Sequence, residues 1–158
     1  PRRSNPGAPR RGAPSWYPTA LRGNRDGISQ LEVHLSDNDV LQKLVDAAHR
    51  RHGEDVVALD MTPFPLTVDV FLLVTSTNRV QSRAIADHIA ETARELGFAL
   101  HHKEGYQEGS WILMDFVAFV VHIFLPERRR YYGLEMLWSD AAVKSFQDAG
   151  SREDADVD

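Results

Sequence analysis

Two consecutive apolar runs followed by an amphipathic segment constrain the fold of this chain more than any other feature. The first run extends from Trp111 to Asp115 and the second from Val120 to Phe124. Each has the length and composition of a buried strand. Beyond them, apolar and aromatic side chains recur every three or four residues, which predicts a last helix from about Glu127 to Trp138.

Helix and strand signals also follow one another in the first half of the domain. A helix capped by Ser36 or Asp37 and ended by Gly53 is predicted to precede a short strand from Asp55 to Met61. The run from Asp69 to Thr75 is continuously apolar, as expected for a central strand that is covered on both faces.

A second helix is expected between Asn78 and Gly97. Asn78 with Gln81 forms a capping-box pattern, and Gly97 suits the position that follows the last turn. The predicted buried face consists of Ile85, Ile89, Ala93 and Leu96. The element order is then α-β-β-α-β-β-β-α. It predicts a single-domain α/β (α+β) fold, a mixed sheet of about five strands with helices packed on it.

The two ends of the chain differ in composition from the domain at 34–142. Residues 1–30 are rich in Arg, Pro and Gly, and residues 147–158 are acidic, so both segments are predicted to be disordered. The Arg-rich segment is similar to a mitochondrial transit peptide, but its prolines oppose the required amphipathic helix. A cytoplasmic location is therefore expected in preference to organelle targeting.

Composition excludes several classes of function. The chain has no cysteine, which excludes a disulfide framework, a thiolate zinc site and a cysteine nucleophile. Its longest apolar stretch is interrupted by Asp115 and His122, so no membrane span is expected. Residues 37–140 carry ten Lys or Arg against sixteen Asp or Glu. A basic protein is therefore a better expected partner than nucleic-acid phosphate.

Candidate catalytic and metal-binding residues have simpler structural explanations. Asp69, Ser76 and His122 are the residue types of a hydrolytic triad, but no nucleophile-elbow motif surrounds Ser76. His122 is instead expected to bond a carboxylate or backbone group in the core. His101 and His102 are adjacent on a predicted strand and point to opposite faces, so they cannot share one ion. No catalytic residue, metal or cofactor is predicted.

Aromatic and basic residues near the last helix are the candidates for partner contact. Trp111 follows a turn-prone segment, so partial exposure is expected, and it is the best single candidate. Tyr131 and Trp138 are expected to be core residues. The basic run Arg128–Arg130 could meet RNA or an acidic partner, although a solvated first helical turn explains the run equally well. The N-terminal extension could touch RNA weakly, but a solvated extension is the favoured interpretation.

Three motifs in order resemble the ribosomal silencing factors, also called the RsfS or Iojap family. They are the E-G pair at Glu104 with the W-I-L-x-D strand at Trp111, the V-V-H-I-F strand from Val120, and the R-x-Y-x-L-E-x-L-W segment that ends at Trp138. The similarity covers about residues 37–140. It implies a fold related to the nucleotidyltransferases.

The resemblance also implies a function and a contact surface. Members of this family bind the L-fourteen protein of the large ribosomal subunit, block subunit joining and so repress translation when nutrients are scarce. The family catalyses no reaction and needs no cofactor. The contact residues that the motifs imply here are Trp111, Leu113, Asp115, Tyr132, Leu134, Glu135, Glu104 and Gly105.

One turn departs from the family pattern, and two other classes of function stay open. Where the family has D-Y-G-D-V, this chain reads from Asp115 to Phe119 without the Gly-Asp pair, so a turn that needs positive φ is poorly served. The first alternative is a nucleotidyltransferase-fold enzyme or nucleotide-binding protein with a degenerate site. The second is a homodimer formed through exposed aromatic residues, which is compatible with ribosome binding.

Overall fold

A computed structural model describes residues 38–148 of the chain. The elements in this part are α1 (Asn38–Arg50), β1 (Glu54–Asp60), β2 (Val70–Thr75), α2 (Arg79–Glu95), β3 (His102–Glu104), β4 (Trp111–Asp115), β5 (Phe119–Phe124), α3 (Pro126–Tyr132), α4 (Leu134–Leu137) and β6 (Val143–Phe146). The predictions for the Ser36 or Asp37 cap, for residues 1–30 and for nearly all of the acidic tail fall outside the described residues.

The strands form one mixed sheet in the order β3-β4-β5-β2-β1-β6. Strands β2 and β5 pair in parallel, with Val70 opposite Phe119, and each of the other neighbouring pairs is antiparallel. Every residue of β5 is buried. The mixed α+β sheet and the central, doubly covered β2 are confirmed.

The sixth strand, β6, is an element that the sequence does not predict. It pairs antiparallel with β1 at the edge of the sheet, Val143 opposite Leu59 and Phe146 opposite Val56. Its first three residues are exposed. A short exposed strand has no apolar periodicity to detect, because it is held by backbone pairing with a neighbour that lies far away in sequence.

Each face of the sheet carries its own hydrophobic core. Helices α1 and α2 pack on one face, where Leu44 and Ile89 are fully buried. The opposite face is covered by residues 61–68 and by the end of the last helical segment, where Trp138 is 3% exposed. The expectation that Trp138 is a core residue is thus confirmed. No helix within residues 38–148 is long and apolar enough to cross a bilayer.

Helix ends follow the predicted chemistry at α2 but not at α1. The Asn78 side chain accepts a hydrogen bond from the Gln81 amide at 2.8 Å, and Gly97 takes φ +93° after the last turn. Helix α1 instead ends at Arg50, and the left-handed residue is His52, with φ 63°. Gly53 has a different role, since a Cβ there would lie 2.7 Å from Val74 Cγ1.

The prediction of a single last helix is wrong, because the helix is interrupted at Gly133. This glycine has φ 54° and ψ 50°, and it ends α3 as it begins α4. A left-handed residue changes the direction of the helix axis, and glycine adopts it with no Cβ penalty. The change of direction separates Tyr132, at the end of α3, from Trp138, which enters the core beyond α4.

The hairpin between β4 and β5 turns through a strained residue. Val117 has φ 72°, and the Ala118 amide donates to the Phe116 carbonyl at 2.9 Å across it. A β-branched residue is rarely found at positive φ. Asp115 supports the turn, since its Oδ1 accepts from the Val117 amide at 2.7 Å. The prediction that this turn places an unsuitable residue at positive φ is therefore confirmed at Val117.

We expect Val117→Gly to raise the free energy of unfolding by about 1 kcal/mol. Release of about 1–3 kcal/mol of backbone strain exceeds the roughly 0.5–1 kcal/mol that glycine adds to the freedom of the unfolded chain. Urea denaturation at constant m-value measures the change. The matched control is Val80→Gly in the first turn of α2, at an exposed position, which should destabilise. A loss of stability in both variants would show that Val117 is unstrained.

Candidate functional site

A groove of about 290 Å³ opens between the loop that joins β3 to β4 and helix α3. Its floor is aromatic, one wall carries carboxylates and the other wall carries an arginine. The residues that line it are Glu104, Gly105, Glu108, Ser110, Trp111, Leu113, Arg128 and Tyr132. The groove therefore brings together five residues implied by the resemblance: Glu104, Gly105, Trp111, Leu113 and Tyr132.

Trp111 forms the floor of the groove from inside the protein. Its ring centroid lies 4.4 Å from that of Tyr132 and 4.6 Å from that of Phe124. Only 7% of the residue is exposed. The expectation of a partly exposed Trp111 is wrong, because the chain beyond β5 folds back and Tyr132 covers the indole. Trp111 therefore mainly stabilises the fold, and little of its surface is left for a partner.

The buried imidazole of His122 holds the indole of Trp111. Trp111 Nε1 donates to His122 Nδ1 at 3.1 Å, so the imidazole proton resides on Nε2. Complete burial lowers the pKa of His122 to about 3, and the ring is neutral under physiological conditions. The expectation that His122 bonds a carboxylate or a backbone group is wrong. An indole N–H satisfies the ring nitrogen instead.

Asp115, Leu134 and Glu135, the other residues implied by the resemblance, lie outside the groove. Leu134 is 2% exposed and belongs to the core under α4. Asp115 is 7% exposed and its carboxylate serves the β4–β5 turn. Glu135 is exposed, with its carboxylate 2.8 Å from Arg129 Nε. Leu134 and Asp115 could affect a partner only by shaping the surface.

The basic run at the start of α3 is divided among three environments. Arg128 lines the groove, and Arg130 is exposed beside another depression. The side chain of Arg129 is only 12% exposed. Its Nη1 donates to the Asp55 carbonyl at 2.6 Å and to Thr75 Oγ1 at 2.8 Å, which ties α3 to β1 and β2. The three arginines therefore do not form one basic patch.

An exposed apolar surface continues from the groove along α3. Tyr131 is 81% exposed, so the expectation that it is a core residue is wrong. Its ring stands edge-on to Tyr132, with the centroids 5.0 Å apart. A second depression of about 370 Å³, which Tyr131 lines, shares Arg128 and Tyr132 with the groove. The aromatic surface available to a partner is therefore wider than the groove alone.

Glu108 and Ser110 are groove residues that the sequence did not single out. The Ser110 hydroxyl and amide both donate to Glu108 Oε2. The hydroxyl bond is the main cause that lowers the pKa of Glu108, and the cations Arg79 and Arg128 lower it further. The Glu108 side chain is thus held in place as a carboxylate in one wall of the groove. The Glu-Gly-Ser sequence before Trp111 was the available signal, since a glutamate two residues before a serine can cap a loop.

The residue types of a hydrolytic triad are not assembled into one. Ser76 Oγ bonds Ser82 Oγ, and His122 Nδ1 bonds Trp111 Nε1. His102 Nε2 lies 2.8 Å from Glu104 Oε1 on the exposed strand β3. Within the described part of the chain, no three His, Asp or Glu side chains are grouped so that they could hold a metal ion.

The comparisons with known proteins agree with one another. The family model described as "Ribosomal silencing factor during starvation" matches residues 34–158. The ribosomal silencing factor of Halalkalibacterium halodurans is 38% identical over 72% of this chain and 97% of its own length. That of Bacillus subtilis is 36% identical over 69% of this chain and 92% of its own length.

Solved structures and more distant relatives extend the similarity. A crystal structure from Bacillus halodurans superposes with a TM-score of 0.59 and 34% identity, covering 71% of this chain and all of that one. A second, from Chromobacterium violaceum, has a TM-score of 0.62 and 27% identity over 65% and 85% of the two chains. A mouse protein named for mitochondrial assembly of the ribosomal large subunit is 25% identical over 73% of this chain and half of its own length.

The fold is a small α+β domain, and it carries an aromatic groove between charged walls. The matches over most of the domain specify the class further. This chain belongs to the ribosomal silencing factors, a family of non-enzymatic regulators of translation.

Proposed function

We propose that this chain binds the large ribosomal subunit and represses translation by preventing the small subunit from joining it. The observation that carries the proposal is the groove beside α3, where Trp111 and Tyr132 form an aromatic floor between charged walls. Trp, Tyr and Arg are the residues that dominate binding energy at protein interfaces. The groove contains all three types.

The direct partner in this proposal is the L-fourteen protein of the large subunit. Glu104 and Glu108 present carboxylates at one wall of the groove, and the domain as a whole is acidic. An acidic surface repels ribosomal RNA and attracts a basic ribosomal protein. Weak RNA contact would then be confined to Arg128, Arg130 or the Arg-rich extension at 1–30.

The mechanism requires only occupancy of a surface. A standard interface buries on the order of 800 Å² per partner, so the contact would extend beyond the groove and the depression at Tyr131 onto the surrounding surface. A bound domain of this size would overlap the face to which the small subunit docks. No chemical step is needed, and the proposal locates the chain where ribosomes work, in the bacterial cytoplasm.

Co-sedimentation with separated ribosomal subunits tests the proposal. We expect wild-type protein to pellet with large subunits only, and to reduce the yield of joined ribosomes when small subunits are added. Glu104→Lys should weaken pelleting about tenfold, because it sets a like charge against a basic partner. Glu104 is exposed, so the substitution should leave the fold intact.

The matched control is Glu91→Lys, which makes the same charge change at an exposed position of α2 away from the groove. It should bind like wild type. Equal weakening by both substitutions would indicate a long-range charge effect and would discard the groove as the site. Failure of wild-type protein to pellet with large subunits would overturn the proposed function itself.

A further inference from the structure

One stripe of helix α2 faces the loop that forms a wall of the groove. Arg79, Arg83 and Asp87 are spaced four residues apart, so their side chains lie above one another on the same face of the helix. None of the three lines the groove. Their partners lie in the loop at residues 105–110, which connects β3 to β4.

The stripe contacts the loop at three successive points. Arg79 Nη2 lies 3.2 Å from Glu108 Oε1, and Arg83 Nη1 donates to the Gln107 carbonyl at 3.1 Å. The Tyr106 hydroxyl donates to Asp87, 2.9 Å from each carboxylate oxygen. The helix and the loop therefore run in opposite directions, and each turn of the helix holds one loop residue.

The loop has little room to move on either side. Gly105 and Gly109 have φ +75° and +77°, and the Gly109 amide donates to the Gly105 carbonyl at 2.9 Å. A Cβ at Gly105 would collide with the Trp111 carbonyl oxygen, and one at Gly109 would lie 2.9 Å from Arg79 Cβ. The loop is thus packed between the start of β4 and α2.

From these contacts we propose that Arg79, Arg83 and Asp87 are positioning residues for recognition of the large ribosomal subunit. They hold the loop so that the Glu108 carboxylate stays at a fixed distance from the aromatic floor, without touching the partner themselves. This inference rests on the proposed function. It extends the determinants of binding to a helix face on the far side of the loop.

The physical reason is the cost of ordering a loop at the moment of binding. Two glycines make the loop intrinsically flexible, because they lose more conformational freedom than other residues on becoming ordered. Contacts with α2 order the loop before a partner arrives. Without them, binding itself must supply the ordering, and affinity falls.

The test compares two triple variants with the same net charge change. The stripe variant carries Arg79→Gln, Arg83→Gln and Asp87→Asn. The control variant carries Arg50→Gln, Arg94→Gln and Glu95→Gln, all at exposed helical positions away from the loop. We expect the stripe variant to bind large subunits about tenfold more weakly and the control to bind like wild type. Both should melt near the wild-type temperature, since the changed residues are at the surface.

Two further readouts separate positioning from a general loss of structure. Amide hydrogen exchange at Gly109 and Ser110 should accelerate in the stripe variant alone. Glu108→Gln should weaken binding less in the stripe variant than it does in the wild-type background, because the stripe acts through Glu108. The phenol of Tyr106 reports the contact directly, since its bond to Asp87 raises its pKa. That pKa should fall in Asp87→Asn.

The outcomes are distinct. Faster exchange in the loop with unchanged affinity would overturn the inference and leave the proposed function standing. Additive losses from the stripe and from Glu108→Gln would also overturn it, since they would mean that the stripe touches the partner directly. Absence of large-subunit binding by wild-type protein would remove the proposed function and this inference together, while the exchange rates would still show whether α2 holds the loop.

Discussion

Trp111→Ala should lower the free energy of unfolding by about 3–5 kcal/mol. The substitution removes a ring that packs on Phe124 and Tyr132, and it leaves a cavity under α3. It also removes the donor to Nδ1 of the buried His122. Small domains have total stabilities of only about 5–15 kcal/mol, so a sizeable fraction of the variant would be unfolded under mild stress. Urea denaturation followed by circular dichroism measures the loss.

The comparison variant is Tyr131→Ala, which truncates an aromatic ring on α3 that is 81% exposed. Its cost should be under about 1 kcal/mol. Equal costs for the two substitutions would contradict the structural role of Trp111. Loss of ribosome binding in Trp111→Ala cannot by itself identify a contact, because the substitution damages the fold. Tyr131→Ala and Glu104→Lys are the variants that probe the surface.

Acid should destabilise the protein through His122. Burial lowers the pKa of this imidazole from 6.5 to about 3. Below pH 6.5 the unfolded chain therefore takes up a proton that the folded protein excludes. The free energy of unfolding should fall by about 1.4 kcal/mol for each pH unit below 6.5, and this contribution continues down to about pH 3. Stability curves in urea at a series of pH values measure the slope.

His122→Phe isolates this contribution. Below pH 6.5, the free energy of unfolding of this variant should fall less steeply than that of the wild type, by about 1.4 kcal/mol per pH unit. This difference is expected whatever the stability of the variant at neutral pH. Trp111→Phe is the matched control, since His122 stays buried and the slope should remain. An acid slope that is the same in wild type and His122→Phe would show that the buried imidazole is not excluded from protonation.

Elements with a strong local signal were predictable from the sequence. The central strands β2, β4 and β5 are continuous apolar runs, and the Asn78 cap of α2 has a local signature. Strand β6 carries no such signal, because its partner β1 lies more than eighty residues earlier in the chain. The break at Gly133 had a visible sign, a glycine within a helical pattern, but apolar spacing continues across it.

The groove was predictable in its residues but not in their exposure. The motifs identified Glu104, Trp111 and Tyr132, which line it. Whether an aromatic ring faces solvent depends on what folds over it, and Tyr132, which covers Trp111, lies twenty-one residues later in the sequence. For the same reason Tyr131, one residue earlier, lies on the surface although it shares the helical pattern.

The attachment of α3 through Arg129 has a consequence for the kinetics of association. Because the guanidinium bonds Asp55 on β1 and Thr75 on β2, α3 cannot swing away from the sheet without breaking both hydrogen bonds. Binding to the large subunit, as proposed, therefore does not need to wait for α3 to move away from the sheet. For the proposed complex with the large subunit, we expect encounter between preformed surfaces to be limited by diffusion and orientation, so that differences in affinity arise mainly from the residence time.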